Sequence, residues 1–320
     1  MDIDQLNQNI DVSIIVAVYF NAKSLEILFN RIKQNVIGKN PDRTFEIIFI
    51  DDGSKDKSLE VLLNLQRAYP EYIKIIKFTR NFGQVPAITA GLRKAQGKLI
   101  ISIDADLQDP PELMNEMIVA HFAEGFEIAI GIRQERKESL YRRAGSSIWY
   151  KILRKLTFPE FPEKGFNYWG ISAKVKDRVL MDISNGTQLS NVLIVWTGFP
   201  IKNLPYTRQN RMHGKSKFGL LKKIQAMFDS LVSFSFFPIR AMTVLGFIIS
   251  FFGFAYAALI FFSKLLGHPF PYKGWVPMMI LILVLSGFQM LMIGIMGEYL
   301  WRTLDIARKR STYVIEKIFE

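Results

Sequence analysis

Two long stretches without a charged residue constrain this chain more than any other feature. Ala241 to Phe262 and Val276 to Gly297 each contain 22 residues, with Gln289 as the main polar interruption. At 1.5 Å per residue, a helix of this length crosses the roughly 30 Å of hydrocarbon in a bilayer. Core helices of a soluble protein are the alternative, but few are so long and so free of charge. The sequence therefore predicts two transmembrane helices, at about 241–263 and 276–298.

Basic residues beside these stretches predict their orientation. The loop between them carries only two lysines, Lys264 and Lys273. The preceding flank contains Arg208, Arg211, Lys215, Lys217, Lys222, Lys223 and Arg240, and the following flank contains Arg302, Arg308, Lys309, Arg310 and Lys317. Because cytoplasmic segments hold the excess of Lys and Arg, we expect both flanks in the cytoplasm. Residues 1–11 lack the features of a signal peptide, so the N-terminal domain is expected there too.

The formal net charge of +12 indicates anionic partners: phospholipid headgroups, phosphorylated substrates or nucleic acid. Nucleic acid is not expected, because the basic residues cluster beside the apolar stretches without interleaved aromatic residues. The chain has no cysteine, which excludes disulfides and thiolate metal sites. Its three histidines, His121, His213 and His268, are too scattered for a zinc site. Phosphorylated or lipid partners remain.

Short apolar runs alternate with helical patterns before residue 210. The predicted strands are 12–18, 45–50, 73–78, 98–103 and 126–132, and the predicted helices are 24–35, 58–68, 87–95 and 112–123. Strands of continuous apolar character that alternate with helices predict a mostly parallel sheet covered on both faces, an α/β fold. Ligands of such sheets bind at the carboxyl ends of the strands, so the site is expected there.

Polar clusters follow three of these strands. They are Tyr19 with Asn21, Asp51-Asp52-Gly53-Ser54 and Asp104-Ala105-Asp106. On an extended segment, two carboxylates separated by one residue point the same way. Such a pair suits a hard divalent cation, Mg²⁺ or Mn²⁺, that also takes phosphate oxygens. Taken alone, Asp104-Ala105-Asp106 could be a solvated loop, and Asp51-Asp52-Gly53-Ser54 could be a simple strand-to-helix turn. Three clusters at one edge of a sheet favour a single site.

Two further segments combine apolar residues at helical spacing with basic ones: Leu140 to Leu156 and Phe218 to Phe236. The pattern is typical of basic amphipathic helices at a membrane interface, although a surface helix of the soluble domain fits the first equally well. We therefore predict an interfacial segment over 211–240. Paired glycines recur at seven residues within the apolar stretches: Gly246 with Gly253 and Gly287 with Gly294. They fit a homo-oligomer or a helix pair within one subunit.

The motifs together resemble the family 2 glycosyltransferases of the GT-A fold. The resemblance is carried by Val12 to Asn21, Asp51 to Ser54, Asn81-Phe82-Gly83 with Ala90-Gly91-Leu92, and Asp104 to Glu112. Arg208, Arg211 and Gly214 to Phe218 resemble the basic motif of the polyisoprenyl-phosphate branch, which includes dolichyl-phosphate mannose synthases and bactoprenol glucosyltransferases. Gly297 to Arg302, Arg308 to Arg310 and Tyr313 resemble the tail of its bacterial subgroup. The expected organisation is a Rossmann-like GT-A domain (1–210), an interfacial segment (211–240), two membrane helices (241–299) and a basic cytoplasmic tail (300–320).

The resemblance implies transfer of a hexose, glucose being favoured, from a UDP-sugar to an undecaprenyl-type polyprenyl phosphate. The reaction would invert the anomeric centre, require Mg²⁺ or Mn²⁺ and take place on the cytoplasmic leaflet of a bacterial inner membrane. The implied nucleotide-binding residues are Val18, Tyr19, Asn21, Asp52, Arg80 and Asp104. Catalysis is assigned to Asp104, Asp106 and Asn167, with Asp106 as the metal ligand. The acceptor phosphate or donor diphosphate would meet Arg208, Arg211, Lys215 and Lys217.

Asn167 departs from the family pattern. The family usually has an Asp, proposed as catalytic base, in a Gly-x-Asp-Phe/Tyr segment that corresponds to Gly165-Phe-Asn-Tyr168 here. An amide cannot take the proton, so three interpretations stay open: a shifted alignment, a weak or inactive homologue, or a reaction without a base. The last is reasonable because a phosphate monoester, with a second pKa of roughly 6, is already a dianion at neutral pH.

Two other functions are less well supported. Processive polysaccharide synthases of the same superfamily carry a Gln-x-x-Arg-Trp motif and more membrane helices, and neither is found in the sequence. A catalytically inactive scaffold is suggested only by Asn167. Among donors, N-acetylglucosamine or an aminoarabinose remains an alternative to glucose, because sugar-selective residues have no characteristic spacing.

Overall fold

The apolar runs form the predicted strands. The structure, a computed structural model, describes residues 10–134, 166–184, 191–209, 237–266, 275–308 and 311–320. The first five strands are β1 (Val12–Val18), β2 (Phe45–Asp51), β3 (Ile73–Phe78), β4 (Leu99–Asp104) and β5 (Ile128–Arg133). Their interleaved helices are α1 (Ala22–Asn35), α2 (Ser58–Ala68), α3 (Gln84–Lys94) and α4 (Met114–Phe122). All nine lie within a few residues of their predicted bounds.

Three strands were not predicted. β6 (Trp169–Ser172) is followed by α5 (Ala173–Ser184) and α6 (Asn191–Trp196), and β7 (Ile201–Tyr206) comes next. The third, β8 (Ile315–Phe319), lies near the end of the chain. The segment predicted only as a basic tail thus adds a strand to the sheet.

The eight strands found in the described residues form one mostly parallel sheet in the order β7-β5-β6-β4-β1-β2-β3-β8. β1 pairs in parallel with β2 and β4, β2 with β3, and β5 with β7, whereas β6 and β8 run antiparallel to their neighbours. After β3 the chain returns to place β4 on the other side of β1. Carboxyl ends of β1 and β4 therefore flank a topological switch point, where open sheets bind ligands.

Helices cover both faces of this sheet. On one face, α1 buries Leu25, Leu28, Phe29 and Ile32, whose spacing places them on a single helical stripe. On the other face, α3 packs closely on β1 and β2. A Cβ added to Gly91 would lie 2.5 Å from Ile15 Cγ2 and 3.0 Å from Ile50 Cδ1. This glycine lets the helix approach the sheet, which fixes the position of the loop that precedes α3.

The chain divides into two compact units, residues 1–217 with 310–320 and residues 218–309. In the second unit, α7 (Phe237–Leu265) and α8 (Trp275–Ala307) contain the two apolar stretches. Within them, 242–260 and 284–305 are long and apolar enough to cross a membrane. Large apolar side chains point outward, including Phe247 and Phe254, which are 73% and 77% exposed. Neither stretch is therefore the buried core helix of a soluble domain.

Of the four glycines predicted to mark helix-packing faces, one packs against the other helix of this unit. A Cβ added to Gly246 would lie 3.6 Å from Met292 Cε on the other helix. Among the described residues, nothing approaches within 4 Å of such a Cβ at Gly253, Gly287 or Gly294. A homo-oligomer thus stays a prediction. The two predicted amphipathic helices, 140–156 and 218–236, fall outside the described residues.

Candidate active site

The carboxyl ends of six strands lie at one edge of the sheet. The pairing directions show that β1, β2, β3, β4, β5 and β7 run the same way. The register aligns Ala17 with Asp104 and Val18 with Asp51. The side chains that follow or end these strands include Tyr19, Asn21, Asp52, Asp104, Asp106, Arg133, Tyr206 and Arg208. The predicted clusters are therefore neighbours in the fold.

A strained turn carries the Asp104-Ala105-Asp106 motif. Leu107 has a φ of 61°, in the left-handed region that a branched, non-glycine residue seldom adopts, and its buried side chain anchors the turn. Asp106 Oδ1 accepts a hydrogen bond from the Gln108 N–H at 3.1 Å. Ser24 of α1 donates its hydroxyl to the Ala105 carbonyl at 2.6 Å. The motif is thus held at a fixed position at the end of β4.

Asp104 lies in a crowded acidic environment. Burial, followed by the charges of Asp109 and Asp106, raises the pKa of Asp104 from 3.8 to about 7. Its Oδ1 accepts a hydrogen bond from Gln84 Nε2 at 2.6 Å, so the first residue of α3 also meets the motif. The arginines Arg208 and Arg133 act in the opposite direction without cancelling the shift. The cluster has an excess of negative charge that a bound cation would relieve.

Asp109 forms the other half of this cluster. It is fully buried and accepts a hydrogen bond from the Tyr206 hydroxyl. Arg208 Nε lies 3.4 Å from the same carboxylate. Arg133 Nε donates to the Tyr206 oxygen at 3.3 Å, while Arg133 Nη2 is buried without a hydrogen-bond partner among the described residues. Two guanidinium groups thus lie beside the acidic cluster, one with a donor still available for an anion.

Residues after β1 form a tight turn at the same edge. The Tyr19 N–H donates to Asn21 Oδ1 at 3.0 Å, and the Asn21 N–H donates to Ser58 Oγ at 2.9 Å. Phe20, with a φ of 60°, donates its N–H to Ser54 Oγ at 3.2 Å. The first two predicted clusters are therefore one hydrogen-bonded unit. The Asp52 N–H also donates to the Val18 carbonyl at 2.9 Å.

Asp52 organises the loop after β3, a role that the sequence did not predict. Its buried carboxylate accepts the Phe82 N–H at 2.6 Å, the Gly83 N–H at 2.9 Å and Asn81 Nδ2 at 2.9 Å. Arg80, predicted to contact the nucleotide, is exposed, and its guanidinium lies 4.0 Å from the centre of the Phe82 ring. The nucleobase contact of Asp52 stays a prediction. The three bonds leave only Oδ1 with a lone pair that a nucleobase could use.

The residues fit a divalent metal held together with a substrate. Among the described residues, no three His, Cys, Asp or Glu side chains form a group that could hold an ion by themselves. Mg²⁺ and similar hard cations are commonly bound by one or two carboxylates plus substrate phosphates. Asp106 and Asp104 could supply the carboxylates, and burial, together with the charges of Asp109 and Asp106, raises the pKa of Asp104, whose ionised form a cation would stabilise.

Asn167 lies just before β6 and is exposed between two buried aromatic residues. Its neighbour Tyr168 donates its hydroxyl to the Pro110 carbonyl at 3.1 Å, next to Asp109. The Tyr168 side chain thus connects the residue after Asn167 to the segment that follows the acidic motif. The predicted phosphate-binding residues Arg211, Lys215 and Lys217 lie outside the described residues, so Arg208 alone of that set is located.

Sequence reasoning missed four residues of this site: Gln84, Asp109, Arg133 and Tyr206. The predicted fifth strand ended directly before Arg133, so the rule that assigned Asp104 could have found it. Asp109 lies within the segment Asp104 to Glu112, which carries part of the family resemblance, but no role was predicted for it. Tyr206 and Gln84 had no signal, because β7 was not predicted and α3 was expected to begin three residues later.

Comparisons with known proteins identify the family of this chain. The sequence pattern described as glycosyl transferase family 2 matches residues 13–183. The chain is 30% identical over 309 residues to the prophage bactoprenol glucosyl transferase homolog of Escherichia coli, covering 96% of this chain and 99% of that protein. It is 29% identical over 310 residues to the undecaprenyl-phosphate 4-deoxy-4-formamido-L-arabinose transferase of Edwardsiella ictaluri, covering 96% and 94%.

A solved structure supports the fold. The mannosyltransferase PcManGT of Pyrobaculum calidifontis, determined in complex with GDP-mannose and Mn²⁺, aligns with a TM-score of 0.51 at 16% identity. The alignment covers 73% of this chain and 65% of that one. The predicted GT-A class, a mostly parallel α/β sheet with two apolar helices after it, is confirmed at the level of the fold.

Proposed function

The chain belongs to glycosyl transferase family 2 and is a glycosyltransferase, and on this premise we propose that it transfers a hexose from a UDP-sugar to polyprenyl phosphate. The observation that carries the proposal is the acidic cluster at the switch point of the sheet. Asp104, Asp106 and Asp109 lie together there, beside Arg133 and Arg208. A diphosphate with its metal ion would balance both the acidic and the basic half of such a site.

The donor would bind across the carboxyl ends of β1, β2 and β4. Tyr19, Asn21, Asp52 and Arg80 would surround the nucleoside, and Asp104 would contact its ribose or the metal. Asp106 would hold Mg²⁺ or Mn²⁺, which would neutralise charge on the departing UDP. The Nη2 of Arg133 would donate to a phosphate oxygen, because a charged donor forms a strong hydrogen bond with phosphate.

Transfer would need no protein base. An oxygen of the acceptor phosphate, already a dianion near neutral pH, would form a bond to the anomeric carbon. The bond from that carbon to the UDP oxygen would break, giving inversion and free UDP. Asn167 would orient the acceptor by its amide hydrogen atoms, since it cannot accept the proton that an Asp would take. Arg208, with Arg211, Lys215 and Lys217, would attract the acceptor phosphate.

We propose that α7 and α8 anchor this site at the cytoplasmic face of a membrane. Their apolar side chains point outward, and the relatives align over nearly their whole length, including these helices. The proposal of a lipid acceptor is supported by those relatives, one a bactoprenol glucosyl transferase homolog and the other an undecaprenyl-phosphate transferase. Basic flanks beside the helices would attract anionic headgroups.

The test is a transfer assay with the full chain in detergent or lipid nanodiscs. UDP-[¹⁴C]glucose, Mn²⁺ and undecaprenyl phosphate are mixed with the protein, and label is counted in the organic phase. We expect incorporation that depends on undecaprenyl phosphate and on the metal, is lost on chelation and is restored by added metal. No incorporation from any UDP-hexose would overturn the proposal.

Amino-sugar donors are the second candidate, because a relative of almost equal identity is named for a formamido-arabinose. UDP-N-acetylglucosamine and UDP-4-amino-arabinose derivatives are therefore run in parallel with UDP-glucose. Turnover by the Asn167→Asp variant is compared in the same assay. A rate equal to that of the wild type would support chemistry without a base, and a large gain would identify the natural chain as a weakened enzyme.

A further inference from the structure

The chain that follows the second apolar helix returns to the catalytic sheet. β8 pairs antiparallel with β3, with Ile75 opposite Phe319 and Phe78 opposite Ile315. Pairing is irregular between Lys77 and Phe78, and beyond it the Thr79 N–H donates to the Val314 carbonyl at 3.1 Å. Residues 313–319 therefore lie along β3 as far as the point where the chain enters the loop 79–83.

Tyr313 extends this contact into an aromatic row. Its ring stacks on Phe78, with centroids 5.1 Å apart and planes inclined by 10°. Phe78 in turn meets Phe82 edge to face at 5.7 Å. Phe78 is fully buried and contacts both other rings directly. Because such packing leaves no room for solvent, a shift of the Tyr313 ring would change the position of the Phe82 ring. The row links the C-terminal segment to the middle of the loop.

The opposite side of the loop is fixed by the turn after β2. Phe82 and Gly83 donate their N–H groups to the Asp52 carboxylate. The backbone of the loop also presses on Gly53, where an added Cβ would lie 2.4 Å from the Arg80 carbonyl carbon. Loop 79–83 is thus held between the Asp52-Gly53 turn and the Tyr313–Phe78 pair, and both supports act on Phe82.

We propose that Tyr313 is a positioning residue for the donor nucleotide. By fixing Phe78 and Phe82, it keeps the Phe82 N–H directed at Asp52 and keeps the Phe82 ring beneath the Arg80 guanidinium. Asp52 and Arg80 are the residues assigned to the nucleoside, so this inference rests on the proposed function. It adds that the nucleotide end of the site is completed by residues beyond the second apolar helix.

A purely structural role for this segment would use different contacts. Covering an exposed strand edge needs the backbone pairing of β8, which Ile315 to Phe319 supply. Tyr313 precedes that strand and contacts the sheet at its loop end. Phe319, at the other end of β8, packs against the core without a ring contact to the loop. The two positions therefore separate loop positioning from docking of the strand.

The experiment compares four variants of the full chain: Tyr313→Ala, Tyr313→Phe, Val314→Ala and Phe319→Ala. One readout is the change in the KM for UDP-sugar, compared with the change in kcat. The other is hydrogen exchange of the Phe82 and Gly83 amides without nucleotide. For Tyr313→Ala we expect the donor KM to rise about three- to tenfold, the factor that an aromatic pair typically contributes, with exchange at residues 82 and 83 faster by a similar factor.

The other variants serve as controls. Tyr313→Phe keeps the stacked ring and should match the wild type in both readouts. Val314→Ala changes an exposed side chain but leaves its carbonyl bond to Thr79, so it should also match. Phe319→Ala should lower the melting temperature while the donor KM stays within about twofold. An equal rise of KM in Tyr313→Ala and Phe319→Ala would overturn the inference in favour of strand docking.

Hydrogen exchange keeps this inference distinct from the proposed function. Wild-type protein that binds and uses no UDP-sugar would overturn the proposed function, whatever the exchange rates are. The Tyr313→Ala protein is first shown to be folded by its melting temperature. If its Phe82 and Gly83 amides then exchange at the wild-type rate, the positioning role is overturned even if the enzyme is active.

Discussion

Strand β2 carries a buried carboxylate near each end, and the two have opposite surroundings. Near its start, Glu46 accepts the Ser13 hydroxyl at 2.5 Å and the Gln96 N–H at 2.8 Å, and Lys74 Nζ lies 2.8 Å from it. At its end, Asp51 accepts the Ser54 N–H at 3.2 Å. The second oxygens of both carboxylates are buried without a hydrogen bond among the described residues, but only that of Glu46 has a lysine beside it. Burial raises the pKa of Asp51.

The difference extends across the sheet. Glu46 ties β1, β2, β3 and the turn before β4 together at the amino ends, so its charge stabilises the fold. At the carboxyl ends, Asp104, Asp106 and Asp109 increase one another's negative potential, which costs folding free energy. Clustered, perturbed carboxylates are typical of functional sites, where a ligand removes the repulsion. One edge of the sheet therefore holds the protein together, and the other is prepared for a cation.

The strongest test of this contrast is Asp106→Asn. We expect the transfer rate to fall by at least about 100-fold, because the charge that holds the metal and opposes the departing UDP is lost. The melting temperature of the metal-free protein should stay the same or rise, since one repulsive charge is removed. Initial rates and thermal unfolding are measured on the same preparations. Rates within about tenfold of the wild type would mean that the metal is held elsewhere.

For Glu46→Ala we expect a loss of stability without a loss of transfer rate. Removing this acceptor leaves the buried Ser13 hydroxyl without an acceptor and removes the partner of the part-buried Gln96 N–H, which should lower the free energy of unfolding by about 1–3 kcal/mol. The transfer rate per folded molecule should not change. Glu46→Gln, which keeps one acceptor oxygen, is the matched control and should lose less. Denaturant titration gives the stability, and a stable Glu46→Ala protein with an impaired rate would contradict the division between the two edges.

A smaller effect is expected from pH. Because the folded-state pKa of Asp104 is about 7 and its ordinary value is 3.8, the folded protein binds this proton more tightly than the unfolded chain does. The stability linked to this proton is complete below pH 3.8 and is lost as the pH rises to 7. Metal-free wild type should therefore lose more stability over this range than Asp104→Asn.

Thermal unfolding from pH 4 to 7 measures the slope, with Asp42→Asn as a control at an exposed position. The control should retain the wild-type slope. Adding Mn²⁺ with UDP should flatten the slope of the wild type, because a cation stabilises the ionised carboxylate. Identical slopes for wild type and Asp104→Asn would show that Asp104 titrates in its ordinary range.

Local pattern was sufficient for much of the fold. β1 to β5 are continuous apolar runs, so their existence and order were readable, and Asp52, Asp104 and Asp106 followed from their places after strands. β6 has four residues, and β8 joins β3 through contacts such as Lys77 to Glu316, 239 residues apart. The Asp109 pair with Tyr206 is also distant along the chain. Long-range pairing of this kind has no local period, and a sequence scan cannot detect it.

The place of β8 in the chain has a consequence for biosynthesis. A ribosome completes β1 to β7 first, then α7 and α8, and only afterwards the strand that covers β3. Until then β3 presents an unpaired edge, the kind of surface through which newly made chains associate wrongly. The catalytic sheet is therefore complete only after both apolar helices have been synthesised. A product that stops after the second helix would be expected to aggregate or to be degraded.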